Sequence, residues 1–206
     1  AFPVLSKVQD DEAKIQLGLN RFLTISLVMV APVMMILNIG ATPIINLLLT
    51  KKWIAIVPYL KILAVLGILY PLHLINIQLL ISQGKSQLNF RITVVKNILR
   101  IISVVSMVQY GVLAIIIGEL VVSILSLLII TYYTKVAVHY GILRQLWDTR
   151  SIWLSIIFSS IYGCFLMIFI QNPMYQVLSL ALGVGMIFGI IQYLFNSQLL
   201  LDLKDV

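Results

Sequence analysis

Five polar residues recur along one apolar stretch, NFRITVVKNILRIISVVSM. Asn89, Thr93, Lys96, Arg100 and Ser103, with Met107 after them, follow spacings of 4, 3, 4, 3 and 4. At 100° per residue they fall within about 40° of one line on a helix, while Arg91 lies on the opposite side near the end. A cation at the centre of a membrane helix costs ~2.5–3.5 kcal/mol on insertion scales, so two on one stripe require a partner or a wet cavity. The next apolar run carries Glu119, with Ser123, Ser126 and Tyr133 at spacings that share its face. The chain turns near Gln109-Tyr110. Arg100 and Glu119 each lie about nine residues from that turn, which at ~1.5 Å per residue puts them at nearly equal depth.

Two readings follow. In one, Arg100 and Glu119 form a satisfied structural pair. In the other, Asn89, Thr93, Lys96, Arg100 and Ser103, with Glu119, line a cationic path for an anionic headgroup. The two are compatible, because a pair can hold Arg100 beside a substrate while Lys96, one turn away, remains in excess. Snorkelling of the cations to an interface, or a differently drawn span, is the third alternative.

Other chemistry is poorly supplied. Hydrophobic residues make up 61% of the 206 and charged residues 10%, with a mean hydropathy of +1.09. Soluble domains are about 45–50% apolar and about 25% charged, so these values describe an all-α integral membrane protein. Cys164 is the single cysteine, which excludes an intrachain disulfide, and it sits in an apolar segment unsuited to a thiolate metal site. His73 and His139 are far apart, so neither a metal nor another cofactor is expected. The net charge of +7 would suit nucleic acid, but the cations flank or enter apolar runs instead of forming a hydrophilic basic face. There is no G-x-x-x-x-G-K-[ST], H-E-x-x-H or G-x-S-x-G motif. Glycosyl transfer generally relies on carboxylates or a metal, which the short loops do not offer. These are materials for a transporter more than for an enzyme.

The elements that must position the stripe are six spans of the length a bilayer requires. They run from about Leu17 to Ile39, Ala55 to Ile81, Leu88 to Met107, Val112 to Tyr133, Ile152 to Ile170 and Met174 to Phe195. Gly40–Thr50 is too short to cross and reads as a re-entrant or interfacial turn of helix. Pro32 and Pro71 fall inside spans and are expected to kink them. Eleven of the 14 lysines and arginines fall on one side of these spans, leaving Lys51, Lys52 and Lys61 on the other. The positive-inside rule then puts both ends of the segment in the cytoplasm, as an even number of spans requires. Residues 9–16, with Asp10 as a helix N-cap, and residues 136–150 read as interfacial helices. Ala181, Gly185 and Gly189 form a small-residue face for close packing. His73 reads as a hydrogen-bonded structural histidine before a proton relay. Trp53, Trp147 and Trp153 read as interfacial anchors.

The order of landmarks resembles one family. Phe2-Pro3-x-Leu5-Ser6 precedes Gln9-Asp10-Asp11, and Arg21 opens a span holding Pro32. Lys52-Trp53-x-x-x-x-Pro58, Leu63-Ala64, Pro71-Leu72 and Gly84-Lys85-Ser86 follow, and then a span with Lys96. This is similar to the C-terminal part of polysaccharide flippases of the lipopolysaccharide-biosynthesis type, within the multidrug/oligosaccharidyl-lipid/polysaccharide exporter superfamily. The resemblance covers about Phe2 to Tyr140. It implies a two-lobed bundle of about fourteen helices in the bacterial cytoplasmic membrane. Residues 1–150 would then be helices of the C-terminal lobe and residues 151–206 two added helices with a cytoplasmic tail. It also implies an N-terminal lobe preceding this chain, and alternating access that moves a polyprenyl-pyrophosphate-linked oligosaccharide between leaflets. The resemblance assigns no role to single residues. The alternatives are a multidrug/cation antiporter of the same superfamily, which acidic cavity residues would favour, and a polytopic glycan polymerase or transferase, which would carry a large charged external loop.

Overall fold

The structure, a computed structural model, describes residues 12–202, with side chains from Ile15 to Phe195. Among these residues the regular elements are all helical. Helix α1 covers Glu12–Ile39 and α2 covers Ala41–Leu48. A 3₁₀ turn at Lys51–Ile56 leads into α3, Val57–Ser82. Helix α4, Ser86–Met107, passes through the 3₁₀ turn Val108–Tyr110 into α5, Val112–Val138. Short α6, Ile142–Asp148, precedes α7, Arg150–Phe169, and α8, Pro173–Asp202. Six of these stretches are long and apolar enough to cross a bilayer, and the chain is an all-α membrane protein.

Punctuation in the sequence explains where the helices stop. Gly84 and Gly111 adopt φ of +70° and +89°, a backbone region costly for a residue with a Cβ, and so close the turns on either side of α4. Asn172-Pro173 starts α8, where proline's missing N–H leaves no helical bond unmade. Helices α1 and α3 run on through Pro32 and Pro71. The expected cap at Asp10 lies outside the described residues, and residues 12–16 lead directly into the first span. Of the 136–150 segment, the first part is the end of α5. His139 then takes a left-handed cap, and only Ile142–Asp148 forms a separate helix.

The described helices group into two compact units. One holds the start of α1, to Ile25, with Leu69–Asp148, and the other holds Ser26–Ile68 with the chain from Thr149. In the first, α4 and α5 form a hairpin. Gly118 lets them approach, since a Cβ there would meet the Ser103 hydroxyl. In the second, α7 and α8 form a hairpin that also receives α2. Ser151, Ser155, Ser159 and Gly163 recur every fourth residue on the buried face of α7. A Cβ on Gly163 would come within 2.6 Å of Ile39 Cγ2.

Helix α8 corrects one expectation. Its buried line is Leu180, Val184, Phe188 and Gln192, one residue out of step with Ala181, Gly185 and Gly189. Those three are exposed, and a Cβ on Gly185 or Gly189 would meet nothing within 4 Å. The face that α8 buries is thus not its small-residue face, and the small-residue face of the hairpin belongs to α7 instead. The close glycine contact of α8 is Gly183, which lies against the Tyr162 ring, and Tyr162 is fixed by donating its hydroxyl to Ser179 O at 3.0 Å.

Candidate functional site

The α4–α5 hairpin brings Arg100 and Glu119 together. Arg100 Nε donates to Glu119 Oε2 at 2.8 Å, and Arg100 Nη2 bonds Oε1 of the same carboxylate. A planar guanidinium and a carboxylate fit in this two-pronged way, which adds direction to charge attraction. Gly118, immediately before Glu119, is the residue that admits Ser103, so the close approach and the ion pair are made by one turn of α5.

Lys96 is half-buried on the side of α4 that meets α5, in line with Ile92, the one buried residue among those described on that helix. Among the described residues, Lys96 makes no hydrogen bond or ion pair. Asn89 is also half-buried, and its Oδ1 is buried without a described partner. Ser103 is half-buried against Gly118. Thr93 is not drawn into this group. It is exposed, and its hydroxyl donates to the Asn89 carbonyl of its own helix at 2.9 Å, the usual local satisfaction of a membrane threonine. Much of the remaining α4 surface is apolar and uncovered, including Val95, Ile98, Ile101, Ile102 and Val105.

Glu119's expected face divides. Ser123 turns to His73, whose Nε2 shares a 3.1 Å hydrogen bond with its hydroxyl. The buried Ser126 hydroxyl bonds back to the Val122 carbonyl at 2.7 Å. His73 is thus a buried, hydrogen-bonded histidine. Below it lies a group that the sequence reading does not contain. Asn76 of α3 and Gln145 of α6 exchange two side-chain hydrogen bonds, at 3.0 and 2.8 Å. Thr134 of α5 donates to Asn76 Oδ1 at 2.7 Å. Gln145 also reaches the Tyr140 carbonyl at 3.1 Å. All three side chains are essentially inaccessible, and nearly all their polar atoms are matched, as burial demands. Asn76 and Thr134, polar residues inside long apolar spans, were the available signal.

The comparisons with known proteins agree with this architecture. The family model described as "Polysaccharide biosynthesis protein" matches residues 1–58. The lipopolysaccharide biosynthesis protein WzxC of Escherichia coli K12 is 26% identical over 136 residues, covering 66% of this chain and 27% of that protein. A Klebsiella pneumoniae protein described as an uncharacterized membrane protein in the cps region is 31% identical over 98 residues, covering 48% of this chain and 20% of its own length. The chain is similar to membrane proteins of polysaccharide biosynthesis. The resemblance read from the ordered landmarks therefore holds at this level, for a multi-pass membrane protein. The chain spans about a quarter of the length of the curated relatives it matches. No solved structure matches it.

Proposed function

We propose that this chain is the C-terminal part of a flippase that moves a polyprenyl-pyrophosphate-linked oligosaccharide across the bacterial cytoplasmic membrane by alternating access, without catalysing a reaction. The observation that carries this reading is Lys96, a cation within a membrane span that makes no ion pair or hydrogen bond among the described residues. Arg100, beside it, is held by Glu119 and stays partly exposed at 45%. A pyrophosphate and its sugars cannot enter about 30 Å of hydrocarbon unaided. An unpaired ammonium next to a positioned guanidinium offsets that cost for an anion and would increase it for a cationic drug, which argues against the antiporter alternative. Asn89 and Ser103 add neutral hydrogen-bonding groups along the same path. The stripe's side of α4 would face the cavity that an N-terminal lobe completes, and the lipid tail would remain in the bilayer.

The test is surface glycan normalised to membrane protein in cells carrying variants of the full-length protein. Lys96→Ala should lower export without lowering abundance. Lys96→Arg should retain much of it, since charge matters more here than shape. Lys96→Glu should be worst, because it sets an anion against an anion. Export at the wild-type level by Lys96→Glu would reject the anionic-headgroup path.

A further inference from the structure

A second polar recess lies in the first unit, away from the Lys96 stripe in sequence and in lining. It is a cleft of about 230 Å³ formed by Gln16, Leu17 and Asn20 of α1 and by Tyr140, Arg144 and Asp148 around α6. The two walls are joined directly, since Gln16 Nε2 donates to Val138 O at 2.7 Å. That bond leaves the Gln16 Oε1 acceptor unbonded among the described residues. Asn20 has the complementary arrangement: its Oδ1 accepts from Thr24 at 3.1 Å, and its amide N–H groups are left over. Arg144 and Asp148 stand four residues apart on one short helix, a spacing that ordinarily lets opposite charges meet. They do not meet. Asp148 instead accepts from the Tyr140 hydroxyl at 3.0 Å, and Arg144 makes no ion pair or hydrogen bond among the described residues. Burial first, and then the Asp148 carboxylate, push the Tyr140 hydroxyl's pKa up, so it remains a donor at any working pH.

The cleft thus offers donors, Arg144 and the Asn20 amide, and acceptors, Asp148 and the Gln16 carbonyl oxygen. Its surroundings point to lipid. Leu143, Leu146 and Trp147 share one exposed arc of α6, opposite the buried Gln145 that ties this helix to Asn76. An apolar arc turned outward from a polar anchor suits a helix lying in a membrane interface. Leu17, 55% exposed, provides an apolar edge to the cleft itself. We propose that this cleft binds a zwitterionic phospholipid headgroup bearing a primary ammonium, with the phosphate on Arg144 and Asn20 and the ammonium on Asp148 and Gln16. A primary ammonium has three N–H donors for these acceptors, and a trimethylated one has none.

The test is native mass spectrometry of the full-length protein, exchanged into vesicles of phosphatidylethanolamine, phosphatidylcholine or phosphatidylglycerol. Phosphatidylethanolamine should be retained about tenfold over each of the others, the ratio expected for one charge-assisted hydrogen bond. Asp148→Asn should remove most of the discrimination against choline, and Arg144→Gln should lower retention of all three. Equal retention of ethanolamine and choline lipids by the wild-type protein would overturn the proposal, whether or not either variant folds. So would an unchanged ratio in a monodisperse Asp148→Asn protein. Binding of soluble phosphoethanolamine without discrimination among the vesicle lipids would overturn the assignment to lipid.

Discussion

At the residue scale, the Arg100–Glu119 pair and Lys96 place three charges within a few turns of one hairpin, and one of them is unmatched. Removing Arg100 alone takes from Glu119 both hydrogen bonds that match its carboxylate inside a membrane span. Arg100→Ala should therefore reduce the folded protein recovered from membranes, and adding Glu119→Ala should restore part of it. Yields measured by detergent-exclusion chromatography test this, and strictly additive losses would show that the pair carries no coupling. The pair was legible in the sequence because a hairpin is symmetric about its turn: two residues equally far from Gln109-Tyr110 must face each other in depth, and the helical period decides whether they face each other in angle. The Asn76–Gln145–Thr134 group was not legible. Its partners come from three helices, and the exchange between Asn76 and Gln145 spans 69 positions, with no turn in common to align them. Ser123 shows the same limit. Its spacing placed it with Glu119, and packing gave it to His73.

At the element scale, spans could be located because apolar runs are long and their ends are marked by Gly84, Gly111 and Asn172-Pro173. The face each span buries is a different matter. A small-residue pattern states where helices could approach and not which side does, and on α8 the side carrying Leu180, Val184 and Phe188 is the buried one. Two alanine substitutions on that one helix separate the cases. Gly183→Ala drives a Cβ into the Tyr162 ring, whose hydroxyl is tied to Ser179, and should destabilise the α7–α8 hairpin by about 1–3 kcal/mol. Gly185→Ala, two residues on and facing open space, should leave stability unchanged or raise it slightly through helix propensity. Thermal unfolding in the same detergent compares them, and equal melting temperatures would contradict the packing described for Gly183.

At the scale of the whole molecule, the imbalance of basic residues predicts an orientation with the Gly84 turn and the α5–α7 connection in the cytoplasm. Single cysteines at position 86 and at position 110, in a Cys164→Ser background of the full-length protein, provide the check. An impermeant thiol reagent applied to intact cells should label position 110 and leave position 86 untouched. The reverse pattern would invert the orientation and contradict the positive-inside reading of the basic residues. The unmatched Lys96 has one further consequence, which is electrical. A charge inside the membrane senses the transmembrane voltage, worth about 2.3 kcal/mol for a full crossing at 100 mV. The Arg100–Glu119 pair is neutral as a unit and is nearly silent in that field, so Lys96 is the charge through which the middle of this hairpin senses it. An anion seated on Lys96 cancels or reverses that charge. The empty and the loaded protein should then respond differently to the same voltage, and reconstituted full-length protein should show transport whose dependence on an imposed potassium diffusion potential is altered in Lys96→Ala.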